Sequence, residues 1–301
     1  MQKLRISIVQ YLNTAPLVWG FTNGRLAGKY DLSFTVPSQC AEALRTGAAD
    51  IAIIPAIEYQ RISNLVVLPD LAIGAQNCVR SLLIAAKKPI EQVRSIALDC
   101  SSRSTQALTR ILAEEHWKIA PEFFETEPDL RAMLEKADAA MIIGDPALRI
   151  SIAIEKESAA NQQGRAVCQA ATLGMTSTEI LHIYDMVGEW RRFSSLPAVM
   201  AVWAARPEVI TPEVLSDFAA SRNFGMTQIA AICLEAAREL ELPQPALESY
   251  LRHNIDFSLG GENRRGLERY FHEAAKLGLI ARDKKIVWAA AANEAAPVSA
   301  K

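Results

Sequence analysis

The sequence lacks the residue patterns on which metal, redox and nucleotide chemistry usually depend. Its five cysteines are odd in number and scattered without a CxxC pair, so neither a zinc site nor a disulfide framework is predicted. Its four histidines share no ligand spacing, and the GxGxxG, Walker, HExxH and GxSxG motifs are absent. An enzyme built on this chain is therefore expected to work without a metal, a cofactor or a nucleophilic triad.

The chain also lacks an excess of charge and a long apolar run. Its net charge is −2 and no basic cluster suits a phosphate backbone, so nucleic acid is excluded as a partner. No run approaches the roughly 20 apolar residues that span a bilayer, and residues 1–5 do not resemble the start of a signal peptide. We therefore expect no membrane partner and a cytoplasmic location.

What the 301 residues do contain is an alternation of strand and helix signals, typical of a parallel sheet covered by helices. Apolar and alternating runs predict strands at residues 4–9, 31–36, 50–55, 66–68, 79–84, 95–98, 122–124, 139–143 and 197–203. Helices are predicted at residues 38–44, 106–117, 129–136, 212–221, 226–240 and 266–277. An exposed loop is expected at residues 159–164 and a frayed tail at residues 289–301.

These elements fall into two series, which predicts an α/β protein with two lobes. Residues 1–87 together with residues 196–301 are expected to form lobe one, and residues 88–195 to form lobe two. The chain would cross between the lobes near Lys87 and again near Leu196, and two crossings make a hinge. A ligand cleft is expected between the lobes.

Six polar clusters lie at or near strand ends, where ligands bind in open α/β folds. Helix capping is the alternative explanation: Asn13 and Ser38 suit caps, and Asp145 precedes Pro146 as a cap would. The hydroxyls and the arginine at residues 101–105 suit a carboxylate, because arginine and free helix amides both bind anions. The convergence of six clusters favours one shared site over six independent caps.

Seven segments of the sequence form a specific combination. Four of them are the short motifs YLNTAPL at 11–17, VRSLLI at 79–84, AAMIIGDPAL at 139–148 and YDMVGEW at 184–190. The other three are residues 36–59, which begin with VPSQC, residues 97–115 and residues 196–208. Together they resemble the chorismate dehydratases of the futalosine route to menaquinone. The resemblance extends from residue 4 to about residue 207, and more loosely beyond. It implies a type II periplasmic-binding-protein-like fold that is used inside the cell as an enzyme.

The resemblance also implies a reaction. Such a lyase removes water from chorismate to give 3-[(1-carboxyvinyl)oxy]benzoate, with no metal or nucleotide. Because the ring becomes aromatic, the site mainly has to orient a dianionic substrate, and a carboxylate of the substrate itself can serve as the base. The expected partner is therefore this small molecule, and a homodimer is compatible with the sequence.

By position, the resemblance assigns catalytic roles to Asn13, in the YLN motif, and to Ser81, in the VxS strand. Ser104 and Thr105 match a loop that would hold a carboxylate at a helix N-terminus. Two arginines join the expected binding residues on charge alone. The complete binding set is Thr14, Ser38, Arg80, Ser101, Arg103, Ser104, Thr105, Gly144 and Asp145.

The chain departs from the family pattern in three places. Ala56 stands where the family has a serine, Ala198 stands where it has a phenylalanine, and the stretch between Leu148 and Tyr184 is longer than expected. The first two changes bear on substrate identity, and the third bears on the surface of lobe two. Two alternatives therefore stay open: the sister enzyme that makes 1,4-dihydroxy-6-naphthoate from a cyclic futalosine derivative, and a non-catalytic solute-binding protein for a small organic acid.

Overall fold

Strands and helices alternate through most of the chain. The computed structural model describes residues 3–157, 165–175 and 180–290. Within them the strands are Arg5–Val9 (β1), Asp31–Thr35 (β2), Ile51–Pro55 (β3), Val66–Ala75 (β4), Leu82–Ala86 (β5), Ser95–Asp99 (β6), Glu122–Thr126 (β7), Ala139–Ile143 (β8), Arg165–Gln169 (β9), Ile180–Asp185 (β10) and Ala198–Ala205 (β11). The α-helices are Ala15–Thr22 (α1), Pro37–Thr46 (α2), Ala56–Arg61 (α3), Arg103–Ile111 (α4), Leu130–Lys136 (α5), Gly144–Glu157 (α6), Met186–Ser194 (α7), Pro212–Thr227 (α8), Ile229–Leu240 (α9), Gln244–Ser249 (α10) and Gly261–Lys276 (α11).

Five strands form a first sheet in the order β2-β1-β3-β11-β4. The strand β1 pairs in parallel with β2 and β3, whereas β11 runs antiparallel between β3 and β4. Every residue of β3 is buried, as expected for a parallel strand with both faces covered. In β11, the fully buried Trp203 packs against Phe218 of α8, with ring centroids 4.9 Å apart.

Six strands form a second sheet in the order β7-β6-β8-β5-β10-β9. Its strand β6 pairs in parallel with β7 and β8, whereas β5 runs antiparallel to β8 and β10. Successive residues of β5 enter different cores. Ile84 and Ala86 belong to the large core shared with the first sheet, and Leu83 and Ala85 belong to a smaller core with residues of α5 and α6. This alternation follows from the two-residue period of a strand.

The chain crosses from the first sheet to the second between Ala75 and Leu82, and it returns between Asp185 and Ala198. The first crossing therefore comes one strand earlier than the expected position near Lys87. The reason is that β5 pairs with β8 and β10 of the second sheet and with no strand of the first. Such pairing joins distant parts of the chain, so local sequence patterns do not reveal it.

A buried carboxylate joins the two crossings. Asp185 accepts hydrogen bonds from the amides of Val79 and Arg80, at 2.9 and 2.6 Å, and from those of Val187 and Gly188, both at 3.0 Å. Burial still raises the pKa of Asp185 to about 6, because desolvation outweighs the four amides. Arg80 has a φ of +65°, which breaks the extended conformation, so the strand predicted at 79–84 begins only at residue 82.

Three further expectations concern helices and loops. The helix predicted at 106–117 begins earlier, at Arg103, and its last part, Leu112–Trp117, is a π-helix. The loop expected at 159–164 and the tail residues 291–301 lie outside the described residues. In the described part of the chain, no helix is long and apolar enough to cross a membrane.

Candidate functional site

A cavity lies between the two sheets, where the carboxyl ends of β1, β3 and β8 meet the helices that follow them. We call it the inter-sheet cavity. It measures about 50 Å³, which is room for roughly two water molecules. Its polar lining consists of hydroxyl groups and one carboxamide, contributed by Tyr11, Asn13, Ser81, Ser102, Ser104 and Thr105.

The structure brings some of the predicted site residues to this cavity and leaves the others outside its lining. Those in the lining are Asn13, Ser81, Ser104, Thr105 and Gly144. Those outside it are Thr14, Ser38, Arg80, Ser101, Arg103 and Asp145. The two residues with predicted catalytic roles are thus both in the first group.

The N-terminus of α4 forms one part of the cavity. Ser102 donates its hydroxyl proton to Thr105 Oγ1 at 2.8 Å, and the amide of Ile57 donates to Ser104 Oγ at 3.2 Å. Ser104 and Thr105 lie in the first turn of α4, where backbone amides are free and the helix dipole is positive. This part of the cavity therefore suits a carboxylate group.

The sequence does not single out Tyr250, yet this residue connects the two predicted catalytic residues. Its hydroxyl donates to Ser81 Oγ at 2.8 Å, and the side chain of Asn13 lies near enough to influence the pKa of that hydroxyl. Tyr250 is fully buried, and burial raises its pKa. Because 169 positions separate Tyr250 from Ser81, no local motif could have identified it.

Tyr11 closes one side of the cavity against Gly144. The amide of Gly144 donates to the carbonyl oxygen of Ser81 at 2.8 Å, and its φ is +67°. A Cβ atom at this position would lie 2.8 Å from three carbon atoms of the Tyr11 ring. Two separate reasons therefore favour glycine at this position: the backbone is left-handed, and the Tyr11 ring leaves no room for a Cβ atom.

The two arginines that are predicted as binding residues from their charge alone bind carboxylates of the protein itself. Arg103 contacts the fully buried Glu58 at 3.0 Å, beside two further arginines, and Arg80 pairs with Glu155. A buried carboxylate is stable only with such partners. The sequence shows the arginines but not which acid each of them meets.

Three predicted residues, which lie outside the lining, form hydrogen bonds next to it. The helix α2 begins at Pro37 without a side-chain cap, so Ser38 is not its N-cap, and the Ser38 amide donates to the Ser101 carbonyl at 3.1 Å. The Ser101 hydroxyl donates at 2.6 Å to the buried carboxylate that ends β6. Thr14 donates to Asn13 Oδ1 at 3.4 Å and so helps to orient that carboxamide.

Asp145 faces a larger groove of about 340 Å³, which is also lined by Trp19, Glu235 and Glu239. Its carboxylate accepts a hydrogen bond from the amide of Leu12 at 3.1 Å. Three carboxyl groups along one groove would repel an anionic ligand. For an organic acid, the smaller inter-sheet cavity is therefore the better site.

The Asp145→Asn substitution is expected to change how stability depends on pH. Burial raises the pKa of Asp145 to about 6 from an ordinary value of 3.8, although the Leu12 amide opposes the rise. The folded state thus holds this proton more tightly than the unfolded chain does. The resulting stabilisation is fully present below about pH 4 and is lost as the pH rises through about 6. In thermal unfolding, the Tm of the variant minus the Tm of the wild type should therefore increase from pH 4 to pH 7. A Tm difference that stays the same over this pH range would contradict this account.

None of the described residues that line the inter-sheet cavity carries a charge at neutral pH. An anion there would be held by hydroxyl, carboxamide and backbone dipoles. The described lining also offers no carboxylate or imidazole that could remove a proton. Neither Ala56 nor Ala198, the two departures from the family pattern, belongs to the described lining.

The sequence profile of a menaquinone biosynthesis family matches residues 4–276. The chain belongs to this family. The matched range includes every polar residue of the cavity lining and Tyr250, and it agrees with the resemblance carried by the seven sequence segments. Among individual relatives, the chorismate dehydratase of Thermus thermophilus is 25% identical over 281 residues, which cover 93% of this chain and 97% of that protein.

Solved structures show the fold of this family member. A protein from Archaeoglobus fulgidus matches with a TM-score of 0.67 at 15% identity, over 92% of this chain and 98% of that one. The periplasmic aliphatic sulphonate binding protein of Escherichia coli matches with a TM-score of 0.59 at 17% identity, over 96% of this chain and 98% of that one. The prediction of a two-lobed, periplasmic-binding-protein-like α/β fold is therefore confirmed.

Proposed function

We propose that this protein is a chorismate dehydratase, a lyase that converts chorismate to 3-[(1-carboxyvinyl)oxy]benzoate. The observation that carries the proposal is the uncharged polar lining of the inter-sheet cavity, where Asn13, Ser81 and the N-terminus of α4 meet. Membership of a menaquinone biosynthesis family and the similarity to a chorismate dehydratase support the same activity.

The two carboxylates of chorismate suit the donors that this cavity presents. We assign one carboxylate to the N-terminus of α4, where the hydroxyls of Ser104 and Thr105 stand beside free amides. Ser104 accepts from the Ile57 amide, so its own proton remains to be donated. Asn13 and Ser81 are then the groups that hold the ring hydroxyl which leaves.

Dehydration breaks one C–H bond and one C–O bond of the ring. The ring proton passes to a carboxylate of the substrate, and the electron pair of the C–H bond enters the ring as the C–O bond breaks. The departing hydroxide then takes up that proton and becomes water. Because aromatisation supplies the driving force, the protein has to orient the substrate and donate hydrogen bonds to the leaving oxygen.

Access to the cavity requires the two lobes to separate, one lobe being built on each sheet. A space of about 50 Å³ does not admit a substituted six-membered ring. Hydrogen bonds from Leu12 to Asp145 and from Ile57 to Ser104 join elements of the two sheets beside the cavity. Residues 76–81 and 186–197 connect the sheets and would act as the hinge.

Purified protein incubated with chorismate alone is expected to convert it to 3-[(1-carboxyvinyl)oxy]benzoate. The product is separated by chromatography and identified by its mass and ultraviolet spectrum. An Asn13→Ala protein prepared in the same way controls for contaminating activity. Chorismate that binds but is recovered unchanged would contradict the proposal in favour of a solute-binding protein. Turnover of a cyclic futalosine derivative instead of chorismate would favour the sister enzyme.

A further inference from the structure

We infer that Tyr250 is a positioning residue that directs the hydroxyl proton of Ser81 into the inter-sheet cavity. The inference rests on the proposed dehydration and adds to it a residue outside the cavity lining. Its basis is the order of donors and acceptors along four buried side chains, those of Thr14, Asn13, Tyr250 and Ser81.

Each side chain of this series donates towards the next. Thr14 donates to Oδ1 of Asn13 at 3.4 Å. With Oδ1 acting as an acceptor, the amide N–H groups of Asn13 remain available as donors, and Tyr250 is a neighbouring side chain whose pKa Asn13 lowers. Tyr250 has a single proton, which it donates to Ser81 Oγ at 2.8 Å. All donors thus point towards Ser81, and such series strengthen one another.

Ser81 is the last member of the series. Its Oγ accepts from Tyr250, and no other side chain of the described residues is hydrogen-bonded to that oxygen. Ser81 has no exposure to bulk solvent, and it belongs to the cavity lining. Its proton is therefore free to be donated into the cavity. A donor that is oriented before the reaction needs no rearrangement when charge develops on the leaving oxygen.

Tyr250 does not itself belong to the cavity lining. Burial holds the pKa of Tyr250 above its ordinary value, so its hydroxyl stays protonated and does not act as an acid or base. Ser81 accordingly donates a hydrogen bond, and not its proton, to the departing hydroxyl. Tyr250 orients Ser81, and Ser81 contacts the substrate, so Tyr250 acts on the reaction only through Ser81.

The bond between Tyr250 and Ser81 also joins the two halves of the molecule. Tyr250 begins the π-helical segment Tyr250–Asn254, and two residues beyond this segment Asp256 pairs with Gly74 of β4 in the first sheet. Ser81 precedes β5 in the second sheet. Separation of the sheets would break the bond, so the donor is oriented only when the cavity is closed.

The Tyr250→Phe substitution tests the inference because it removes the hydroxyl and keeps the ring. We expect kcat on chorismate to fall about tenfold or more, because the donor that Ser81 offers to the leaving oxygen is then no longer oriented. KM should change by less than about threefold, because the groups that bind the carboxylates remain. The double variant with Ser81→Ala should be no slower than Ser81→Ala alone, since Tyr250 acts through Ser81.

Tyr59→Phe is the matched control. Tyr59 is also fully buried, its hydroxyl donates to the Lys285 carbonyl at 3.3 Å, and it lies outside the cavity lining. Its kcat should match that of the wild type, and thermal unfolding shows whether each variant is folded. Full activity of Tyr250→Phe, a loss confined to KM, or losses that multiply in the double variant would each overturn the inference. A wild-type protein that does not convert chorismate would overturn the proposed function, and the inference with it.

Discussion

The Asn13→Ala variant is expected to turn over chorismate about 100-fold more slowly than the wild type, as when one oriented donor to a reacting oxygen is removed. Asn13 lines the inter-sheet cavity and lies near the Tyr250 hydroxyl, whose pKa it lowers. The substitution therefore removes one donor from the cavity and changes the surroundings of the hydroxyl that orients Ser81. The loss of one buried hydrogen bond should cost only about 1 kcal/mol of stability. Steady-state kinetics and thermal unfolding measure the two effects.

Two further variants separate this effect from general damage. Asn223→Ala makes the same chemical change at an exposed position of α8 and should leave the kinetics unchanged. Asn13→Leu keeps about the same volume without the carboxamide, so it should be as slow as Asn13→Ala if the lost group, and not a void, is responsible. A folded Asn13→Ala protein with nearly normal turnover would remove Asn13 from the site.

The Gly144→Ala variant is expected to lose both stability and most of its turnover. An L-residue in the left-handed region costs about 1–2 kcal/mol. The new Cβ would also stand 2.8 Å from the ring of Tyr11, so the ring or the backbone must move. Because the amide of Gly144 is bonded to the carbonyl of Ser81, a backbone shift would displace Ser81 as well. We expect a total loss of about 2–4 kcal/mol in denaturant unfolding, which is large for one methyl group.

Gly28→Ala is the control that isolates the contact with Tyr11. Gly28 has a φ of +76°, but a Cβ there would meet no atom within 4 Å. The variant should therefore show only the backbone cost, and its turnover should be normal. Adding Tyr11→Ala to Gly144→Ala should recover part of the lost stability. If Gly144→Ala and Gly28→Ala lost the same amount of stability, the Tyr11 ring would have to move away from the new Cβ atom at no measurable loss of stability.

The sequence predicts those features that depend on local order. The buried strand β3 and the polar residues after β1 and β6 are recognised from runs of a few residues. Ligand-binding side chains follow the carboxyl ends of strands in each lobe, so Asn13 after β1 and Ser104 and Thr105 after β6 are all expected at the cleft, although β1 and β6 lie in different sheets. For this reason the two-lobed fold and four of the six polar residues of the cavity lining could be predicted without coordinates.

The features that the sequence does not predict depend on partners far along the chain. Arg103 pairs with Glu58 because a buried carboxylate needs a positively charged partner, and the charge of Arg103 alone does not reveal which acid it meets. The strand β5 joins the second sheet through β8 and β10, which moves the crossing upstream of Lys87. Tyr250 reaches the site from a helical region with no polar motif of its own. Each case is a tertiary contact that no local pattern encodes.

The position of β11 has a consequence for the order in which the molecule folds during its synthesis. It lies between β3 and β4, although all six strands of the second sheet are made before it. As the chain leaves the ribosome, the second sheet can close as soon as β10 emerges, whereas the first sheet still lacks the strand that joins β3 to β4. Until β11 arrives, β3 and β4 each expose an unpaired edge, and such edges invite aggregation. The half of the molecule that is translated first is therefore expected to be the half that folds last.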